Sequence, residues 1–221
     1  MIEAVIFDID GTIIDSVPLH IQAWNLTFQK FGKDVPFEAI RRQIGKGADE
    51  LLPVFFSKDE LRRFRKELES YRSELFKREY LPKVKVFPKV RELFERIKQD
   101  GKQIALASMA KQDELEVYKK IARIDDLIDT VACSEEVKKS KPHPDICAAA
   151  VEKLGIPPDQ VIAVGDTPYD AEAADKINLR IIGLLCGGGN QEELRRAGCV
   201  AIYQEPADLL GHYDSSPISS G

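Results

Sequence analysis

Short apolar runs alternate along the chain with segments whose apolar residues recur at helical spacing. The run Ala4-Val5-Ile6-Phe7 ends at Asp8 and a glycine-containing turn, as expected of a buried parallel strand. Similar runs follow at 103–107, 161–164 and 181–185, with a weaker one at 130–133. Between them lie helical patterns such as Val90, Leu93, Phe94 and Ile97. This alternation predicts an α/β fold with a parallel sheet.

One long region interrupts the alternation, because residues 16–81 carry only helical patterns. Apolar residues follow a four-three spacing from Val17 to Phe31, and Ser57-Lys58-Asp59-Glu60 is a capping box that opens a further helix. We therefore predict a core formed by residues 1–15 and 82–212, and an all-helical insert at 16–81, called the cap below. The polar, serine-rich residues 213–221 are predicted to be a disordered tail.

Composition narrows the classes of partner. The 221 residues carry a net charge of −5 without a dense basic block, which argues against nucleic acid or a membrane surface as partner. The first residues lack the basic start of a signal peptide, and no stretch reaches the roughly 18 apolar residues of a membrane span. Four widely spaced cysteines are typical of reduced thiols. These features predict a cytoplasmic protein, either a monomer or a weak homodimer.

Two carboxylates follow the first predicted strand, in Asp8-Ile9-Asp10-Gly11-Thr12. In an open α/β sheet, ligands bind beyond the carboxyl ends of the strands, so Asp8 and Asp10 are candidates for chemistry there. Gly11 permits a tight turn whose N–H groups can hold an anion. An acidic surface turn is the plain alternative, but the complete segment directly after an apolar strand favours a site.

Two further segments offer groups that bind phosphate. Ser108 ends the strand predicted at 103–107, and its hydroxyl and the N–H of Met109 can bind a phosphoryl oxygen, although serine is also an ordinary helix cap. Lys141 lies in a run of lysines before Pro142, which restricts its backbone. An ammonium held in this way would neutralise negative charge on a phosphoryl group.

An acidic pair follows the strand predicted at 161–164. Asp166 and Asp170 lie four residues apart in Gly165-Asp166-Thr167-Pro168-Tyr169-Asp170. A helix beginning between them would turn Asp170 back toward the strand end. Mg²⁺ commonly takes one or two carboxylates together with water and substrate phosphate, although a capping Asp is an equal reading of this segment alone. Since all four segments end predicted strands, a parallel sheet would collect them as a set suited to metal-assisted phosphoryl transfer.

Taken together, these segments resemble the motifs of the haloacid dehalogenase-like hydrolases, over about residues 1 to 210. The resemblance is to members with a helical cap after the first strand, and it implies a Rossmann-like core with helices on both faces. It implies that Asp8 is the nucleophile, that Asp10 is general acid and then base, and that Ser108, Met109 and Lys141 bind phosphate with help from Thr12. The implied cofactor is Mg²⁺, held by Asp8, the Asp10 carbonyl and Asp166, with Asp170 in the outer shell.

The resemblance is strongest to phosphoglycolate phosphatase-like enzymes that hydrolyse small phosphate esters. A sugar phosphomutase such as β-phosphoglucomutase is the main alternative, but the cap loop 45–50 lacks the arginine expected of it. A dehalogenase and an inactive binding protein are less favoured, because Asp8, Asp10 and Asp166 are all present. Candidates to meet the leaving group are the cap residues His20 and Lys46, with Arg41 and Arg42 as weaker ones.

Overall fold

A six-stranded parallel sheet forms the centre of the computed structural model, which describes residues 1–219. The strands in chain order are β1 (Ala4–Phe7), β2 (Ile14–Asp15), β3 (Lys85–Val86), β4 (Gln103–Ala107), β5 (Thr130–Ala132), β6 (Val161–Gly165), β7 (Arg180–Leu184) and β8 (Ala201–Tyr203). The two short strands β2 and β3 form a separate sheet, and the other six form the central one. The order in the sheet is β5-β4-β1-β6-β7-β8. The chain therefore builds one side of the sheet from β1 and later returns to build the other, which leaves β1 where the strand order reverses.

Helices cover both faces of this sheet, as the sequence predicts. The helices are α1 (Val17–Lys30), α2 (Phe37–Arg41), α3 (Ala48–Phe55), α4 (Lys58–Leu75), α5 (Val90–Gln99), α6 (Gln112–Ala122), α7 (Asp145–Leu154), α8 (Pro168–Asp175), α9 (Gln191–Arg196) and α10 (Pro206–Gly211). Gly101 and Gly155, just after α5 and α7, adopt left-handed φ values of 73° and 66°. Glycine reaches this region without steric strain, so both helices end where the sequence predicts.

Alternate residues of the central strands enter two different cores. Val5 and Phe7 of β1 point to the face that α5, α6 and α10 cover, and Phe7 packs against Phe94 with ring centroids 4.5 Å apart and the rings tilted by 37°. Ala4 and Ile6 point to the opposite face, which packs on α7 and α8. Because strand side chains alternate in direction, a strand buried on both faces is apolar throughout.

The cap has a hydrophobic core of its own. Residues of α1, α3 and α4, among them Phe28, Leu52 and Leu68, are fully buried against one another. The predicted capping box opens α4, where the Ser57 side chain accepts from the Glu60 N–H and the Glu60 carboxylate accepts from the Ser57 N–H. The two chain crossings between cap and core run side by side, since β2 pairs antiparallel with β3.

Two features differ from the sequence predictions. The short strands β2, β3 and β8 carried no detectable pattern. The predicted disorder of the tail 213–221 is wrong for its described part, because Tyr213 and Ile218 are buried in the core beside α5 and α10. The last two residues lie outside the described part of the chain. No helix among residues 1–219 has the length and apolar character needed to cross a bilayer.

Candidate active site

The sheet brings the ends of three neighbouring strands together. β1 lies between β4 and β6, with Phe7 opposite Leu106 on one side and Val164 on the other. Asp8, Ser108 and Asp166 follow these strands within one or two residues and are at most 9% exposed. The sequence expectation that these segments meet at one edge of the sheet is therefore confirmed in the fold.

Lys141 lies between two of the carboxylates. Its Nζ is 2.6 Å from Asp8 Oδ1 and 2.6 Å from Asp170 Oδ1, and its side chain is 3% exposed. The other oxygen of Asp170 accepts hydrogen bonds from the N–H and hydroxyl of Thr167, in the capping box of α8. Although burial disfavours the ammonium, Asp170 and Asp8 raise the pKa of Lys141 above its ordinary value. This lysine is therefore charged and held in place.

The carboxylate of Asp166 is enclosed by glycines. Its Oδ1 accepts a 2.9 Å hydrogen bond from the hydroxyl of Thr12. A Cβ added to Gly11 would come 2.3 Å from Oδ2, and one added to Gly187 would come 1.8 Å from it. Both glycines are thus required for this close approach. The hydroxyl of Thr12 supports Asp166 here, which differs from its expected phosphate-binding role.

These three carboxylates suit a divalent cation. One oxygen from each of Asp8, Asp166 and Asp170 lies within 4.8 Å of the others. Lys141 supplies a single positive charge to the three. Burial, together with the negative charges of Asp170 and Asp10, raises the pKa of Asp8 to about 7, although Lys141 acts to lower it. Burial and the negative charge of Asp170 also raise the pKa of Asp166. A hard cation with oxygen ligands would relieve this excess negative charge, so the residues fit Mg²⁺.

This raised pKa has a consequence for stability. Asp8 titrates near 7 in the folded protein and near its ordinary 3.8 when unfolded, so it favours folding fully below pH 3.8 and loses that effect as pH rises through 7. In EDTA, we expect the melting temperature of wild type relative to Asp8→Asn to fall between pH 4 and pH 8. Calorimetry of both proteins across this range measures the difference. A difference that grows with pH would contradict the assigned environment of Asp8.

Asp10 lies in a separate hydrogen-bond network at the start of the cap. Its Oδ1 accepts from the hydroxyl of Ser16 at 2.6 Å and lies 2.8 Å from His20 Nε2. The other ring nitrogen of His20 receives a hydrogen bond from Arg72, which fixes the proton of a neutral imidazole on Nε2. Although burial opposes ionisation, His20 and Ser16 lower the pKa of Asp10 to about 2. His20 thus supports Asp10, whereas the sequence suggested that it meets the leaving group.

A cavity of about 580 Å³ opens between the cap and the core at these groups. Asp8, Asp10, Ser108 and Lys141 line one end, together with Met109. The hydroxyl of Ser108 accepts a 3.1 Å hydrogen bond from the N–H of Ala110, which orients it at the start of the loop before α6. The cavity is therefore large enough for a small phosphate ester whose phosphoryl group lies against Asp8.

The cap loop 45–50 contacts the core beside Lys141. Asp49 Oδ2 accepts a 3.0 Å hydrogen bond from the N–H of Ser140, next to Lys141. A Cβ on Gly47 would come 2.6 Å from the Ser140 side chain, so the loop passes close to the core backbone. Lys46 donates to Gln43 and lies 4.6 Å from the ring centroid of Tyr169. Its ammonium therefore contacts α8, and because Lys46 also lines the cavity, its contact with the leaving group stays a prediction.

The weaker cap candidates also contact the core outside the cavity. Tyr169 donates to the carbonyl oxygen of Arg42, and the Arg41 guanidinium lies 3.5 Å from the carbonyl oxygen of Gly188. Both arginines line a second groove beside α8, which Asp166 also borders, and neither lines the cavity in front of Asp8. These contacts connect α2 to the core.

Two charged residues in the cavity wall were missed by sequence reasoning. Arg72 of α4 lies with its guanidinium 5.0 Å from the ring centroid of Trp24 and 4.9 Å from that of Phe76. Glu114 of α6 is 5% exposed, and burial raises the pKa of its carboxyl group. Their positions in the sequence could have identified them. Each residue lies on the apolar stripe of its helix, where a charged side chain is unusual.

Comparisons with known proteins agree with this geometry. The family model described as haloacid dehalogenase-like hydrolase matches residues 5–184. A phosphorylated carbohydrates phosphatase of Thermotoga maritima is 31% identical over 94% of this chain and 96% of its own length. A phosphoglycolate phosphatase of Nitrosospira multiformis is 27% identical over 91% of each chain. The crystal structure of a hydrolase from Pseudomonas syringae superposes with a TM-score of 0.84 at 28% identity, over 96% of this chain and 98% of that one.

Proposed function

The chain belongs to the haloacid dehalogenase-like hydrolase family, and we propose that it is a Mg²⁺-dependent phosphatase of small phosphorylated metabolites that works through an aspartyl-phosphate on Asp8. Phosphatases among its relatives support a phosphoric monoester hydrolase. The observation that carries the proposal is the arrangement of Asp8: a buried carboxylate at the end of a cavity, 2.6 Å from Lys141 and two residues from Asp10.

Asp8 is the proposed nucleophile. One of its oxygens attacks the phosphorus while the bond from phosphorus to the leaving oxygen breaks, which divides hydrolysis into two displacements. Both the attacking carboxylate and the ester are anionic. Lys141 offsets this repulsion, and the Ser108 hydroxyl with the Met109 N–H binds the phosphoryl oxygens.

Asp10 is the proposed general acid and base. The contacts with His20 and Ser16 favour its carboxylate form, which is the form needed to take a proton from water in the second displacement. To protonate the leaving oxygen in the first displacement, Asp10 must carry a proton and release these contacts. The cap helix α1 therefore holds Asp10 between turnovers, and its movement against the core would free it.

Asp8, the Asp10 carbonyl and Asp166 are the proposed Mg²⁺ ligands. Asp170 has both oxygens engaged, by Lys141 and by Thr167, which suits a supporting position in the outer shell. When bound, Mg²⁺ would supply charge neutralisation at the phosphoryl oxygens. The proposed setting is the cytoplasm, with a small ester as substrate and no nucleic acid or membrane partner.

The proposal distinguishes a phosphatase from a sugar phosphomutase by the acceptor of the phosphoryl group. We expect prompt release of inorganic phosphate from at least one small ester, because the proposed role of Asp10 in the second displacement is to activate water. We expect negligible conversion of β-glucose 1-phosphate to glucose 6-phosphate, with or without glucose 1,6-bisphosphate. The cap loop 45–50 contains no arginine to bind a sugar phosphate, and its Lys46 contacts Tyr169 and Gln43.

A side-by-side assay tests this choice. Phosphate release and a coupled glucose 6-phosphate readout are followed in the same preparation, with Asp8→Asn as the blank for contaminating enzymes. Rapid glucose 6-phosphate formation with little free phosphate would replace the phosphatase by a mutase while leaving the role of Asp8 intact.

A further inference from the structure

Glu114 is a buried acid that the phosphoryl-transfer steps do not use. It lies in the first turn of α6, lines the cavity on the side of Asp10, and is 5% exposed. Its carboxylate has no hydrogen bond or ion pair with any of residues 1–219, and its oxygens are not sealed in the protein interior. A buried carboxylate without a hydrogen-bond partner costs free energy. We therefore expect a group of the bound ligand to donate a hydrogen bond to Glu114 in the cavity.

Arg72 supplies the complementary group from the opposite wall. Its guanidinium packs on Trp24 and Phe76 and donates to His20 through Nη2, whereas its Nη1 has no hydrogen bond with any of residues 1–219 and is not enclosed in the protein interior. The charges of Arg72 and Glu114 attract each other, yet no salt bridge within 4 Å joins them among the described residues. An acceptor and a donor therefore line the same cavity without satisfying each other.

A ligand group that both donates and accepts hydrogen bonds satisfies both residues, and the hydroxyl is the group of this kind that phosphate esters of metabolites most often carry. A hydroxyl donates to a carboxylate and accepts from a guanidinium. A carboxylate or second phosphate on the leaving group would suit Arg72 but be repelled by Glu114, and an ammonium would be repelled by Arg72. Burial raises the pKa of Glu114, and a hydroxyl can also accept from the protonated form.

From this arrangement we infer that Glu114 is a specificity residue that selects a polyhydroxylated leaving group, so that the substrate is a phosphorylated sugar or sugar alcohol. The inference rests on the proposed phosphatase function. Exposed lysines at the cavity mouth, among them Lys66, Lys111 and Lys138, attract phosphate from solution whatever its leaving group, because exposed charges act at long range. Discrimination belongs to the buried wall, where contacts are desolvated.

A matched pair of esters isolates the hydroxyl contacts. Sorbitol 6-phosphate and n-hexyl phosphate share a linear six-carbon leaving group and differ in its hydroxyls. We expect wild type to favour sorbitol 6-phosphate in kcat/KM, and Glu114→Ala to reduce that preference by about tenfold or more, as for loss of a hydrogen bond to a charged group. Glu114→Ala should also raise kcat/KM for phosphoglycolate relative to that for sorbitol 6-phosphate, because the variant lacks the negative charge that repels the carboxylate of phosphoglycolate.

Controls separate recognition from folding and from an indirect effect on Asp10. Glu116→Ala removes a glutamate two residues along the same helix that is paired with Lys119, and it should leave the ratio between the two esters unchanged. Melting temperatures of both variants report on folding. An equal fall in kcat/KM for both esters would make Glu114 a positioning group for Asp10 and overturn the inference, as would a wild type without preference for the polyol.

Failure of the proposed phosphatase function can be distinguished from failure of the inference about Glu114. Absence of phosphate release from every ester, with no phosphoryl adduct on Asp8, would remove the phosphatase and the inference together. Phosphate release with an adduct on Asp8, but an ester ratio that Glu114→Ala leaves intact, would overturn the inference alone.

Discussion

Replacing Asp8 by Asn is expected to lower kcat by about 10⁴-fold or more, because an amide cannot attack phosphorus and loss of a nucleophile removes the whole covalent route. The variant should fold, since an amide fills the same volume and can still accept a hydrogen bond from Lys141. Phosphate release from the best ester of a panel, measured with saturating Mg²⁺, gives the ratio of rates.

The matched control is Asp159→Asn. Asp159 is an exposed aspartate in the turn before β6, at the opposite end of that strand from Asp166, so the same change of charge should leave turnover within about twofold. Acid quenching during turnover followed by intact-mass measurement should show a phosphoryl adduct on wild type and none on Asp8→Asn. Turnover of Asp8→Asn at the rate of Asp159→Asn would end the proposed mechanism.

The strand ends could be predicted from sequence because two physical signals coincide there. A strand buried on both faces must be continuously apolar, and its ligand-binding end must then turn polar abruptly. Asp8, Ser108 and Asp166 each follow such a run, so their convergence required only that the sheet be parallel. The strand β8 has no comparable run, because its residues are all partly exposed at the edge of the sheet.

The contacts of the cap could not be predicted in the same way. His20 and Lys46 were recognised as cap residues, but a sequence does not give the direction of a long side chain across an interface. His20 turns to Asp10 because Phe76 stacks on its ring, with centroids 4.2 Å apart, and Arg72 donates to its other nitrogen. Both partners lie more than fifty residues away in the chain.

The helical spacing of apolar residues could have identified Arg72 and Glu114 as unusual charged positions. Arg72 lies four residues after Leu68 and three before Leu75, both buried, and Glu114 lies four residues before the buried Tyr118. Residues at these spacings share one face of a helix, so both charges fall on apolar stripes. In a helix as highly charged as α4, this position distinguishes Arg72 from charged residues on the exposed face, such as Arg62, Arg63 and Glu67.

The packing of the tail depended on particular side chains rather than on composition. Residues 213–219 are polar on average, but Tyr213 and Ile218 are buried, and the guanidinium of Arg96 lies 4.4 Å from the ring centroid of Tyr213. Two well-placed apolar side chains are enough to dock a short segment on an existing core. The mean polarity of this segment therefore led to a prediction of disorder, although its two apolar side chains attach it to the core.

Removing divalent metal is expected to abolish turnover, and Mg²⁺ should restore it. The three carboxylates near Lys141 carry more negative charge than one ammonium offsets, and an anionic ester would add to it. Without a cation, repulsion disfavours both the binding of the ester and the attack by Asp8. Phosphate release is measured after EDTA treatment and during titration with MgCl₂.

Binding of the metal can be measured apart from catalysis. Mg²⁺ should raise the melting temperature of wild type at pH 8, where Asp8 is ionised, and by less at pH 5.5, where protons compete for the same oxygens. Asp166→Asn should weaken this stabilisation strongly, whereas Asp159→Asn should retain it. Ca²⁺ should inhibit, because its larger and looser coordination shell would misplace Asp8 relative to phosphorus. Undiminished phosphate release in EDTA, with no effect of Mg²⁺ on melting, would show that the reaction needs no divalent cation and would overturn the proposed Mg²⁺ site.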